Sequence, residues 1–137
     1  MSGAGEALAE AAQSYLSTPF RLHGRCREDG VDCVGLLALA LADCGRAAVL
    51  PRGYGFRNSM VATHLTCLPA SGFAEIEAAG VMQPGDVLLV SPGPAQQHLL
   101  IALDANTCIH AHAGLRRVST AAVPLPWPVL RRWRLIS

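Results

Sequence analysis

The spacing of apolar positions changes period once along this chain, from helical in the first part to alternating in the last. Over residues 4 to 16, Ala4, Leu8, Ala11, Ala12 and Tyr15 recur at helical spacing and predict an amphipathic helix. Pro19 biases Ser17 and Thr18 towards extended backbone and ends it. Residues 21 to 31, RLHGRCREDGV, are polar, contain two glycines and read as a loop. An apolar run from Val34 to Ala42 follows, with Asp32 as N-cap and Gly45 as the residue beyond the C-cap, and predicts a buried helix. Between 46 and 80 the pattern weakens: PRGYG reads as a turn, NSMVATHLTCL as a short helix capped by Asn58 or Ser59, and GFAEIEAAG fits neither period.

From residue 81 the period is two. GDVLLV (85–90), HLLIAL (98–103), TCIHAHA (107–113), RRVST (116–120) and RRWRLI (131–136) read as strands. SPGPAQQ, DAN, GL and PLPWP between them carry turn and loop chemistry. Helices first and hairpin-linked strands later predict an α+β fold, a single domain over residues 1–137 with a meandering antiparallel sheet.

Composition narrows the function classes. Of 137 residues 51% are hydrophobic and 15% charged, enough to bury a core without staples. A net charge of +1 supplies no bulk field for nucleic acid or a membrane surface. All eleven basic residues are arginine, which reads as a coding preference. The opening MSGAGEALAEAAQSYL carries Glu6 and Glu10 where a signal peptide would be basic and then apolar. The longest apolar run is about half the roughly 20 residues that span a bilayer. The chain is therefore expected to be soluble and synthesised in the cytoplasm without a signal peptide. Its cysteines, Cys26, Cys33, Cys44, Cys67 and Cys108, are odd in number and form no C-x-x-C pair, so free thiols are the expectation.

One of these thiols stands apart. With Asp32 as cap, Cys33 is the first helical residue, where free N–H groups and the positive end of the helix dipole favour a thiolate. Gly35 in the same turn would let another backbone or a substrate approach closely. Cys44 at the other end sees the opposite dipole and is expected to be inert. Cys26, between Arg25 and Arg27, competes for reactivity. By position alone Cys33 is a buried structural cysteine or a nucleophile. A nucleophile needs a base, and His23 and His64 read as solvated and structural. His98 opens an apolar strand after a Gly/Pro-rich loop, so it should emerge at a sheet edge beside open space. On the next strand Cys108, His110 and His112 share one face, and a hairpin across DAN would bring His110 near His98. That is the nucleophile, base and orienting group of a cysteine hydrolase. The same histidines, with a nearby thiol, would also suit a tetrahedral zinc. The basic stretch RRWR reads as an exposed strand face, with a docking surface as the alternative.

Together these motifs resemble the NlpC/P60 cysteine peptidases. YLSTPFRLHGRCREDGVDCVGLLALAL is similar to that family's T-P-[YF]-x-x-x-G-R loop followed by D-C-x-G-L, PGDVLLV to its P-G-D strand, and HLLIAL with CIHA to its histidine pair. The ending VPLPWPVLRRWRLI is similar to short members from phage and gene-transfer-agent tail clusters. The resemblance implies a papain-like fold with Cys33 as nucleophile, His98 as base and His110 as its orienting residue, and no cofactor or metal. Asp32, Tyr15 and Gly35 would support the site. Val34, Leu100 and Phe20 depart from the family pattern; Phe20 removes a hydroxyl, which Tyr15 would have to supply. The implied substrate is the peptidoglycan stem peptide, often cut between D-glutamate and diaminopimelate, and the implied partners are phage-like tail-tip or baseplate proteins. Targeting would then come from an assembly or from the groove itself. A tail-tip protein with little activity is the alternative.

Overall fold

The computed structural model describes residues 3–50, 67–93 and 96–136. Helix α1, Gly3–Gln13, is shorter than its apolar pattern. Beyond it the backbone tightens: the N–H groups of Tyr15 and Leu16 donate to the carbonyls of Ala12 and Gln13, and Ser17 adopts a φ of 72°. The loop expected over residues 21 to 31 contains a small hairpin, β1 (Arg25–Cys26) against β2 (Gly30–Val31). Its strands are too short to show a period, which is why the pattern hid them.

Helix α2, Cys33–Asp43, begins at the expected cap. The Asp32 carboxylate accepts the Gly35 N–H at 2.8 Å. The helix ends in a Schellman arrangement: Gly45, at φ 75°, donates to Ala42 and Arg46 donates to Leu41. Leu36, Leu37 and Leu41 are fully or almost fully buried. Each such side chain contributes about 1.5–3 kcal/mol by leaving water.

The ambiguous GFAEIEAAG contains β3, Phe73–Ile76. Residues 67–70 are helical, whereas PRGYG, His64 and most of NSMVATHLTCL lie outside the described residues. Strands β4 (Val87–Val90), β5 (His98–Ala102), β6 (Thr107–His112), β7 (Arg117–Ala122) and β8 (Val129–Leu135) complete a sheet in the order β3-β8-β4-β5-β6-β7. All its pairings are antiparallel. Strands β4 to β7 form the meander, and β8 returns to sit between β3 and β4.

Alternation gives the sheet two apolar faces. Val87, Leu89, Leu99, Ile101, Ile109, Ala111 and Trp133 face the helices. Leu88, Val90, Leu100, Ala102 and Cys108 face the other way and are covered by Met82 and by apolar residues of the segment before β8. Gly85, at φ 88°, lets α1 dock: a Cβ there would run into the Gly5 backbone.

The expectation of an exposed RRWR face is corrected. Trp133 is fully buried among the core residues, and Arg132 is only 5% exposed on the opposite face. Its guanidinium donates to the carbonyls of Glu77, Ala79, Gly80 and Val81 and so holds the loop between β3 and β4. The stretch is basic by composition, but two of its four side chains, Arg132 and Trp133, are buried. Among the described residues no helix is long and apolar enough to cross a membrane.

Candidate active site

Asp32 does more than cap a helix. One carboxylate oxygen accepts the Gly35 N–H and the other accepts the His23 N–H, also at 2.8 Å, so the loop before Cys33 and the first turn after it are fastened to one buried side chain. His23 itself has φ 63° and an exposed side chain. Gly35 faces another backbone: a Cβ there would collide with the Gly24 carbonyl, so the hairpin loop lies directly on the α2 mouth.

Cys33 approaches β5 from the helix side. The backbone N–H groups of Leu99, one residue after His98, and of Val34 and Cys33 favour a negative charge on its sulfur. These donors draw the thiol towards ionisation, yet burial wins. Desolvation of the sulfur, with a further push from the Asp32 carboxylate, drives the Cys33 thiol up to about 12. The residue as a whole is half-buried. A resting thiolate made by the helix mouth alone is thereby corrected. Asp32→Asn is expected to lower the Cys33 pKa, because a negative charge beside the thiolate is removed. It should also cost about 1 kcal/mol of stability, because an amide has one acceptor oxygen and either the Gly35 or the His23 N–H loses its partner. Alkylation rate of Cys33 against pH, followed by mass spectrometry, reads the first effect; an unmoved or raised midpoint refutes it.

The histidines converge across the β5–β6 hairpin. His98 Nε2 and His110 Nδ1 are 2.7 Å apart. His98 does not stand at a sheet edge, as its position after the loop suggested. Strand β5 is interior, between β4 and β6, and His98 opens its end. Burial lowers His98 to about 3, with the neighbouring His110 and His112 adding to it. Burial and His112 lower His110 to about 4. Both rings are thus neutral near pH 7.

This sets a stability profile. Between those depressed values and the ordinary 6.5, the unfolded chain binds protons that the folded protein does not. The stabilisation is complete above about pH 6.5 and is lost as pH falls through that window, at up to about 1.4 kcal/mol per pH unit for each histidine. Denaturant titrations from pH 4 to 8 should show this slope, and the double variant His98→Gln, His110→Gln should flatten it. A wild-type slope retained in the variant would assign the effect to other groups.

His112 packs edge-on against His110, with ring centroids 5.0 Å apart, and its Nδ1 accepts the Leu115 N–H at 3.0 Å. Trp127 is the residue that sequence reasoning missed. Its indole lies 6.0 Å from His98, 5.9 Å from His110 and 6.5 Å from His112, centroid to centroid. The signal was available: VPLPWPV alternates apolar residues with prolines at period two.

Tyr15 does not join this group. Its hydroxyl donates to Asp43 at 2.7 Å, at the far end of α2, about 15 Å along the helix axis from Cys33. Arg27 stacks on its ring at 3.8 Å, so Tyr15 ties α1, the hairpin tip and α2 together. All five cysteines are free thiols. Cys44 is raised by burial and by Asp43, and Cys108 is pushed up to about 12 by burial first. The Cys26 thiol donates to Glu28. Among the described residues no three His, Cys, Asp or Glu side chains form a metal-ligand set. The zinc reading also loses two nitrogens that His98 and His110 spend on each other.

A cysteine at a helix mouth, packed on an antiparallel sheet whose strands carry a bonded histidine pair, defines a papain-like α+β protein. The chain belongs to the NlpC/P60 family, whose sequence profile matches residues 17–126. Solved structures share the fold at low identity. NlpC1 from Trichomonas vaginalis has a TM-score of 0.71 at 20% identity, over 98% of this chain and 46% of that one. The NlpC/p60 domain of the peptidoglycan hydrolase SagA has a TM-score of 0.63 at 23% identity, over 96% of this chain and 98% of that one. The peptidoglycan hydrolase RipB from Mycobacterium tuberculosis has a TM-score of 0.65 at 21% identity, over 98% and 65%. The chain spans about half the length of the Trichomonas proteins. No curated protein matches it.

Proposed function

We propose that this protein is a cysteine peptidase that hydrolyses peptidoglycan stem peptides, with Cys33 as nucleophile, His98 as general base and acid, and His110 as the orienting residue. The observation that carries the reading is the 2.7 Å bond from His98 to His110, at the strand end whose Leu99 N–H favours charge on the Cys33 sulfur. Family membership supports the chemistry, and the named hydrolases SagA and RipB support the substrate class.

The tautomers follow from the role. To accept the thiol proton at Nδ1, His98 must carry its own proton on Nε2 and donate it to His110 Nδ1. His110 is then protonated on Nε2. The same bond holds when His98 becomes an imidazolium, so proton transfer needs no ring rotation. Because burial keeps both partners neutral at rest, the thiolate–imidazolium pair forms as substrate fills the site. The thiolate attacks the scissile carbonyl carbon, and the Cys33 N–H helps hold the oxyanion. Collapse breaks the C–N bond, His98 protonates the departing amine, and a thioester remains. Water, deprotonated by His98, cleaves the thioester and the thiol regains its proton.

The bond between D-glutamate and diaminopimelate is the proposed target. The resemblance of residues 123–136 to tail-cluster members supports action within a phage-like tail, where cleavage would open the wall locally. Digestion of purified peptidoglycan, with free amines counted and products identified by mass, tests both activity and bond. Release of no new amines by the wild-type protein would refute the peptidase reading.

A further inference from the structure

The connection from β7 to β8 must cross the sheet. It passes over β6, β5 and β4, a span of about 19 Å at the usual separation of neighbouring strands. Only residues 123–128 lie between the two strands, and bends at 123–124 and 126–127 curve this strap over the outer face. Pro124, Pro126 and Pro128 each fix their own φ, which restricts the strap's freedom. Val123, Leu125 and Trp127 turn towards the sheet while the prolines face solvent. Both ends are pinned. The Val123 N–H donates to Asn106 at 3.0 Å, and the Ser91 N–H donates to the Pro128 carbonyl at 3.3 Å.

The last inward residue of this strap is Trp127, whose indole meets His98 at 86° and His110 at 59°. The indole also walls an open groove of about 480 Å³ on the outer face. Its orientation thus comes from the strap rather than from packing on every side.

We propose that Trp127 is a positioning residue for the His98–His110 pair, held by the pinned proline strap so that its indole keeps both rings in register and keeps water from the bond between them. This rests on the peptidase reading above. Two effects act together. Ring rotation of either histidine would break the Nε2–Nδ1 bond, and the indole blocks it from one side while His112 packs on His110 from its own side. Excluding water also keeps that bond in a low-dielectric environment, where it is stronger. Burial is the first cause of the lowered pKa of both rings, as such shielding requires.

The test compares Trp127→Ala, Trp127→Phe and Met82→Ala. Met82 covers the same outer apolar face from the loop before β4, outside the strap. Trp127→Ala should lower kcat on peptidoglycan fragments by roughly tenfold to a hundredfold with KM nearly unchanged, the scale expected when a reacting group is misplaced. Trp127→Phe should recover most of this, and Met82→Ala should retain wild-type kcat even where it lowers Tm. Equal kcat losses in Trp127→Ala and Met82→Ala, or no loss in Trp127→Ala, would overturn the proposal. Imidazole 15N and 1H NMR gives a readout independent of hydrolysis. The His98 Nε2–H proton should be downfield and slowly exchanging in wild type and broadened in Trp127→Ala. If wild type releases no amines yet this signature behaves as expected, the peptidase reading fails and the positioning role stands. An unchanged signature in Trp127→Ala refutes the role.

Discussion

Cys33→Ala is expected to stop amine release from purified peptidoglycan, a fall in rate on the order of 10⁴-fold or more, while Cys44→Ala leaves it near wild type. The two cysteines sit at opposite ends of α2 and differ in what surrounds them. Cys33 opens α2, and the nearby backbone N–H groups of Leu99 and Val34 favour a thiolate once a base removes the proton. Cys44 is the C-cap, where carbonyls and Asp43 oppose a negative charge. His110→Ala should retain the thiol and base yet lose on the order of 10²- to 10⁴-fold, because His98 would lose the acceptor that fixes its tautomer. Amine release by Cys33→Ala equal to that of wild type would remove this residue from the mechanism.

The largest stability effect is expected away from the site, at Asp86. This carboxylate is fully buried and accepts two bonds from Arg134, at 2.8 and 2.9 Å, and one from the Gln83 N–H at 3.0 Å. Arg132 lies 3.8 Å from it, with only 6% of its side chain exposed. Asp86→Ala should cost about 3 kcal/mol, the low end for breaking a buried pair, because Arg134 keeps 36% of its side-chain surface exposed and can rehydrate. Arg132 cannot rehydrate without releasing the carbonyls of residues 77–81. Urea denaturation at pH 7 measures the loss, and a change below about 1 kcal/mol would show that the pair and its network contribute little.

Helix α1 and the five later strands were legible from their apolar spacing and short apolar runs, and α2 from an unbroken apolar run too long for one strand. The α2 boundaries were legible from Asp32 and Gly45, whose side-chain oxygen and permissive φ are local properties. The β1–β2 hairpin and β3 were not, since two to four residues cannot express a period. The shared face of Cys108, His110 and His112 followed from alternation, and the hairpin over DAN made the approach of His98 to His110 a local matter. The bond from the Tyr15 hydroxyl to Asp43 was not legible, because the partner lies 28 residues away. RRWR was misassigned because its charges suggest solvent, whereas four backbone carbonyls and a buried carboxylate accommodate Arg132.

By itself, then, the amino-acid order determined the helix mouth at Cys33, the strand face bearing the histidines and the α+β class, all of which depend on neighbours within a few residues. Only the tertiary structure decided the protonation of the site and the identity of its cover. The dipole at a helix start is a local effect, but desolvation depends on everything packed around the sulfur and the rings, and here it is the larger. The position of Trp127 over the histidines likewise depends on β8 returning between β3 and β4. That return carries a six-residue strap across three strands, and no local pattern encodes such a crossing.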